Sequence, residues 1–279
     1  MQRIITVQDI SCIGKCSLTV ALPIISAMGV EACVIPTAVL SAHTCFEGFT
    51  FRDLTEDIKP ISEHWQKEKL EFNAIYTGYL GSKEQIDLMS DLFDTFGKQD
   101  TLLFVDPAMA DNGKLYTGFT EEFASYMAKL CSKADVIVPN LTEACYMLGI
   151  PYPGSDYTEE DIKKILKDLG SLGAKQVVLT GISFDEEQLG VMAYDVQKNE
   201  YFSYYNKRVP TSYHGTGDIF ASVCVGAMMR GYDLYHALKL AADFTLECIY
   251  KTEEDPTHRW YGVNFESAIP MLVRELEEV

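Results

Sequence analysis

The feature that most constrains this chain is a repeated alternation of short apolar runs with helix-spaced stretches. Runs over 4–8, 32–40, 74–80, 101–105, 134–138 and 176–181 are rich in Ile, Val, Leu, Phe and Tyr. Between them lie segments with apolar residues three and four apart, near 18–28, 83–97, 120–132, 141–148 and 158–169, while 53–69 reads as a charged surface helix or a pair of helices. Strands that alternate with helices pair in parallel, because each crossover packs its helix back on the sheet with the same hand. Later, 189–196 and 201–209 alternate or carry aromatic residues on either side of Lys198-Asn199, which predicts an antiparallel hairpin. Helices are expected over 219–230, 234–252 and 266–278. The expectation is an α/β fold: a doubly wound, mostly parallel sheet with helices on both faces and a late antiparallel hairpin, in a single domain of residues 1–279.

In open sheets of this kind the loops after the strands gather at one edge, where ligands bind. Those loops and strand ends offer Asp9, His43-Thr44, Tyr79, Asp106, Asn140 with Glu143, and Thr180. To them the chain adds His214-Gly215-Thr216-Gly217-Asp218, followed directly by an apolar run that reads as a buried helix. Two glycines around a threonine permit a tight turn and close approach of backbone to ligand. Free backbone N–H groups at a helix start then suit a phosphate, and Asp218 beside them suits removal of a hydroxyl proton. The same five residues also satisfy an ordinary glycine-rich N-cap with a capping Asp.

Asn140 and Glu143 likewise fit a capping box. Asp106, Asp111 and Glu143 together suit a magnesium ion that bridges phosphates, mostly through water. Lys15, the one cation in the first loop, suits a phosphate, a carboxylate or solvent, whereas His43 and His214 suit supporting hydrogen bonds. No G-x-x-x-x-G-K-[ST] loop and no G-x-G-x-x-G after the first strand occur, which argues against P-loop kinases and Rossmann dehydrogenases.

Charge narrows the partners. Lys plus Arg number 23 against 41 Asp plus Glu, a formal net charge of -18, which disfavours nucleic acid and anionic membranes and makes a metal-assisted anion site the expectation. The 8 cysteines show no C-x-x-C and no paired ligand spacing, as expected of reduced thiols in a cytosolic protein, although Cys12 and Cys16 flank a glycine in the first loop. No signal-peptide pattern precedes the first strand, and the longest strongly apolar run, 219–229, is too short to span a bilayer, so a soluble, cytoplasmic protein is expected.

The glycine turn, Asp106-Pro107, Pro139-Asn140-Leu141-Thr142-Glu143, Thr77-Gly78-Tyr79-Leu80-Gly81-Ser82 and Ser41-Ala42-His43-Thr44 together resemble the pyridoxal kinases of the ribokinase-like superfamily. The resemblance covers essentially the whole chain, and its last two segments point to the vitamin B6 branch in particular. It implies ATP-dependent phosphorylation of the 5′-hydroxymethyl group of pyridoxal, pyridoxamine or pyridoxine. Asp218 takes the base position, and Gly215, Thr216 and Gly217 take the anion hole. Asp9, Thr44, Tyr79 and His43 fall on the substrate side; Asp111, Tyr116, Asn140, Thr180 and Gly217 on the nucleotide side; Asp106 and Glu143 at the metal. The resemblance also implies a homodimer, Mg²⁺ and a monovalent cation. Where several members carry serine after the first strand's Gln, this chain has Asp9, whose charge would favour a protonated ring or the aminomethyl group of pyridoxamine. The first loop also lacks the family's aromatic near Ile13. Two other readings stand beside this one: a hydroxymethylpyrimidine kinase with the same turn chemistry, and a non-catalytic nucleotide-binding regulator, which would not need Asp218.

Overall fold

The computed structural model describes residues 1–277; the expected end of the last helix at Glu278 lies outside them. The chain divides into two compact units, one of Met1–Ala74 with the stretch from Val209 onward, the other Ile75–Arg208.

In the first unit, β1 (Arg3–Ser11) leads through a tight loop into α1 (Leu18–Ala27), and β2 (Glu31–Leu40) returns parallel to β1. Their register slips between Gln8 and Ile10, where Thr37 and Ala38 both oppose Asp9. A bulge of this kind re-aims a side chain. β1 therefore continues past Asp9 to Ser11, and Asp9 lies within the strand, where the sequence places it at the strand's end. β3 (Phe51–Asp53) pairs antiparallel with residues 38–40. The loop between β2 and β3 is pinned at its base, since the Ser41 amide donates to Thr50 O at 3.0 Å and the Thr50 amide to Ser41 Oγ at 2.8 Å. The charged segment beyond is one helix, α2 (Thr55–Lys67), which continues through Pro60.

The second unit holds β4 (Ala74–Thr77, from Ile75 on), α3 (Lys83–Phe96), β5 (Leu102–Val105), the small hairpin β6 (Ala110–Asp111) and β7 (Lys114–Leu115), and α4 (Glu121–Cys131). It continues with β8 (Val136–Ile137), α5 (Leu141–Leu148), α6 (Glu159–Gly170), β9 (Gln176–Ile182) and the hairpin β10 (Gln188–Asp195) and β11 (Glu200–Lys207). Side-chain caps set the helix starts: Ser82, Thr120, and the capping boxes Asn140–Glu143 and Thr158–Asp161. Gly149, at φ 63°, ends α5 in the left-handed conformation that glycine adopts most readily.

The chain then returns to the first unit with α7 (Thr216–Met229), α8 (Leu234–Glu253) and α9 (Phe265–Glu277). α7 packs on α8 and α1, and its residues 219–227 are all buried. Ile4, Ile5, Ile24, Ile25, Ile35 and Phe244 form part of this core, each at 0 % exposure, and each such side chain contributes roughly 1.5–3 kcal/mol of burial.

Among the described residues the first unit holds β1, β2 and β3 side by side, and the second the run β11-β10-β9-β8-β5-β4. β1–β2, β5–β8 and β8–β9 are parallel; β2–β3, β9–β10 and β10–β11 are antiparallel. This is the doubly wound, mostly parallel architecture with a late antiparallel hairpin. Among the described residues no helix is long and apolar enough to cross a membrane.

Candidate active site

The first unit gathers the turn before α7, the middle of β1 and the loop after it. α7 begins at Thr216, three residues before the expected start, because Gly215 at φ 81° serves as its N-cap. A side chain at Gly215 is excluded twice over: the backbone is left-handed, and an added Cβ would lie 2.1 Å from Lys15 O. An added Cβ at Gly217 meets no atom within 4 Å, so the protein itself leaves this backbone open to approach. No side chain caps α7, which leaves its first N–H groups to a ligand or water. Thr216 closes the turn instead, its hydroxyl donating to Tyr213 O at 3.2 Å.

Asp218, half-buried, faces these groups from the first turn of α7. Burial pushes its carboxyl up to about 6; the Ser17 amide, which donates to it, pulls the other way, and the neighbouring charge of Asp9 adds to the rise. Asp9 is 5 % exposed. Burial raises its carboxyl too, against the Ser17 and Ser11 hydroxyls, the latter donating to Oδ2 at 2.9 Å. Cys16 is buried against both carboxylates, and its thiol is pushed far up by burial and by their charges. It is no nucleophile in this state. Ser11 and Ser17, which hold this pair, were not singled out by the sequence. Ser17 is the residue before α1, and that position was the available signal.

Lys15 answers the question its loop raised. Its Nζ donates to Val263 O at 3.1 Å, to Asn264 Oδ1 at 3.1 Å and to Glu266 Oε2 at 2.9 Å. It meets a carboxylate, and that carboxylate is the chain's own.

Between β2 and β3, His43 begins a turn in which the Phe46 amide donates to its carbonyl at 2.9 Å, and its own amide donates to Ile13 O at 2.7 Å. The rings of His43 and His214 lie 5.2 Å apart, and Cys45 Sγ is 3.2 Å from His214 Nε2. Burial, with help from His214, lowers the His43 imidazole's affinity for a proton. Thr44 is exposed in the same turn.

In the second unit Asn140 and Thr180 bridge neighbouring strands, and Asn140 Nδ2 donates to Ala110 O at 2.8 Å. Glu143 is 3 % exposed. Its Oε2 accepts the Asn140 amide at 2.9 Å, and its Oε1 accepts the amides of Met109 at 3.0 Å and Ala110 at 3.4 Å. The capping box is thus present, and the same carboxylate clamps the loop after Asp106. Burial pushes Glu143 up to about 8 against those three amides, with the Asp111 charge adding to the rise. Asp106, 8 % exposed, and Glu143 both push the Cys131 thiol up, so the two carboxyls share one buried neighbourhood. Asp111 is exposed and accepts from Asn112 N and Nδ2 at 2.8 and 2.9 Å, at the tip of the β6–β7 hairpin. Tyr116 is 45 % exposed, and Tyr79 lies 5.7 Å from the Phe119 ring.

A mostly parallel α/β sheet, an uncapped glycine turn and a poised carboxylate at the start of the following helix define a ribokinase-like small-molecule kinase. The chain belongs to the phosphomethylpyrimidine kinase family, whose model matches residues 21–261. A protein of Bacteroides thetaiotaomicron VPI-5482, provisionally described as a phosphomethylpyrimidine kinase and crystallised with pyridoxal, is 41 % identical, with a TM-score of 0.92 over 99 % of this chain and 96 % of that one. Pyridoxal kinase of Lactobacillus plantarum is 30 % identical, with a TM-score of 0.90 over 100 % and 98 % of the two chains. Pyridoxal kinase of Arabidopsis thaliana is 24 % identical over 99 % of this chain and 91 % of its own.

Proposed function

We propose that this chain, as one kinase domain of residues 1–279, transfers the γ-phosphoryl group of ATP to the 5′-hydroxymethyl group of pyridoxal, pyridoxamine or pyridoxine. The observation that carries the reading is Asp218, a carboxyl poised near 6 in the first turn of an uncapped helix. A primary alcohol is a weak nucleophile, so it must be aligned and lose its proton as the bond to phosphorus forms. Asp218 accepts that proton, and a base with affinity near the working pH does so with least cost. The Ser17 amide holds the carboxylate in place. The N–H groups at Gly215, Thr216 and Gly217 face the charge on the transferred group, which fixed dipoles stabilise without reorganisation. Asp9, Thr44, Tyr79 and His43 orient the ring and its substituents. Asp111, Tyr116, Asn140 and Thr180 hold the nucleotide.

The acidic residues of the second unit fit a magnesium ion. Glu143 Oε2 accepts the Asn140 amide and keeps a lone pair for a metal-bound water, and Asp106 shares its neighbourhood. Asp106 and Glu143 would hold the ion through water, where it would offset the charge of the phosphates. A monovalent cation, a homodimer and a cytoplasmic location belong to the same reading, with sedimentation velocity as the check on the dimer.

The test is ADP release with Mg-ATP and, in parallel, pyridoxal, pyridoxamine, pyridoxine and hydroxymethylpyrimidine. Turnover on the B6 vitamers supports the reading. Turnover on the pyrimidine alone moves the chain to the phosphomethylpyrimidine chemistry that its family model is named for. Asp218→Asn should keep ATP binding and lose roughly two or more powers of ten in turnover; full activity in that variant would remove Asp218 from the mechanism.

A further inference from the structure

The two histidines and the cysteine beside the glycine turn have more in common than supporting hydrogen bonds. His43, Cys45 and His214 each offer one ligand atom, and these atoms lie within 4.8 Å of one another. Around a tetrahedral zinc, with Zn–N near 2.0 Å and Zn–S near 2.3 Å, neighbouring ligand atoms stand about 3.3–3.6 Å apart. The Cys45 Sγ to His214 Nε2 distance of 3.2 Å is already close to that spacing. Closing the rest takes about 1 Å of movement, and the movement falls on an exposed turn rather than on the sheet.

The local backbone is built for the pair in residues 43–45. The turn from His43 to Phe46 puts both donors on one loop tip. Gly14 lets His43 approach, since a Cβ there would lie 2.5 Å from His43 Cβ. His43 Nδ1 accepts the Cys45 amide at 3.2 Å, a long bond that a metal–nitrogen bond can replace. The donor set is one soft thiol and two imidazoles, which selects zinc over magnesium. A net charge of -18 raises the local concentration of any divalent cation.

We propose that His43, Cys45 and His214 bind one zinc ion per chain, with the Cys45 thiol proton leaving to solvent and a fourth position open to water. Bound zinc ties the loop between β2 and β3 to the residue that precedes Gly215. It therefore fixes the anion hole and the substrate loop against each other and stops turnover. The inhibition rests on the kinase reading; the binding does not.

The experiment uses the full chain without a histidine tag, metal-free, with Co²⁺ as the spectroscopic stand-in for zinc and no nucleotide present. The expected result is saturable one-to-one binding with a thiolate-to-cobalt charge-transfer band. That band disappears in Cys45→Ser and survives in Cys12→Ser, which removes an exposed cysteine outside the cluster. His214→Gln should bind zinc at least about tenfold more weakly in competition with a chromophoric chelator. Circular dichroism on each variant reports folding, and His43→Gln repeats the ligand test should one variant misfold. No band, or a band unchanged in Cys45→Ser, overturns the site. Zinc binding in a chain that turns over no alcohol would leave the site standing and sink the kinase reading; zinc binding with full turnover would sink the inhibition alone.

Discussion

The carboxyl of Asp218 sets activity and stability against each other. Its affinity for a proton is pushed up to about 6 in the folded chain, from an ordinary 3.8. As pH rises through that window the unfolded chain ionises first, so the folded state loses stability between pH 4 and 6 and stays without it at pH 7. Asp218→Asn removes this penalty. Discounted for partial exposure, it should raise stability by about 1 kcal/mol at pH 7.5, or roughly 2–4 °C in melting temperature for a chain of this size. The inactive variant would be the more stable one, and a melting temperature below the parent's would contradict the assignment. Turnover should fall as pH drops below about 6, because the base must be ionised. Asp9→Asn removes a charge that raises Asp218, so the acid limb of the pH–rate profile should move to lower pH. If Asp9 also faces the substrate, Asp9→Ser should relax a preference for pyridoxamine; unchanged relative rates on the three vitamers would exclude that role. At this scale the sequence was informative about residue types and silent about partners. Asp218 and its glycines announce themselves in five residues, whereas Lys15 meets Glu266 across 251 positions and Cys45 meets His214 across 169.

At the scale of elements, α7 is held where it is by what lies behind it. Gly226, in the last turn of the helix, faces Met28, and a Cβ there would lie 2.4 Å from the Met28 sulfur. Met28 is 1 % exposed, so it has little room to yield. Gly226→Val should cost about 1–3 kcal/mol in denaturant unfolding, and Met28→Ala in the same chain should return part of it, a coupling that separate single variants would not show. Most elements were legible because each carries its own period or punctuation: Gly149 stops α5, and the capping boxes start α5 and α6. β3 was not, since its three residues are all exposed and two of them are charged, and only pairing with 38–40 makes them a strand. The early start of α7 was hidden because two glycines read as a turn, although Gly215 alone supplies the turn and Gly217 is already helical. Asp9 moved from loop to strand because the irregularity beside it is a matter of register, which no single run of residues reveals.

For the molecule as a whole, the thiols give a measurable account of the packing. Cys12 and Cys45 are exposed and Cys33 is half-buried; Cys16, Cys131, Cys145, Cys224 and Cys248 are buried, and burial pushes their thiols up. A thiol reagent at pH 8 should therefore modify Cys12 quickly, Cys45 and Cys33, whose thiols burial also pushes up, more slowly, and the others only on unfolding. Rapid reaction of Cys16 would mean that the carboxylate neighbourhood of Asp9 and Asp218 is open to solvent. The fold class was readable from the alternation of runs because both the helices and the parallel strands follow from local patterns, but the division into two compact units was not, since the first unit is assembled from the two ends of the chain. The way the β2–β3 loop is fastened has a consequence for how such a protein changes. Ser41 and Thr50 close that loop on themselves, so the register of β2 and β3 does not depend on what lies between. Residues 42–49 form a cassette: exchanging or lengthening them to recruit new alcohols gives up the contacts of His43 and Cys45 with Ile13, Gly14 and His214 but leaves the pairing of β2 with β3 in place.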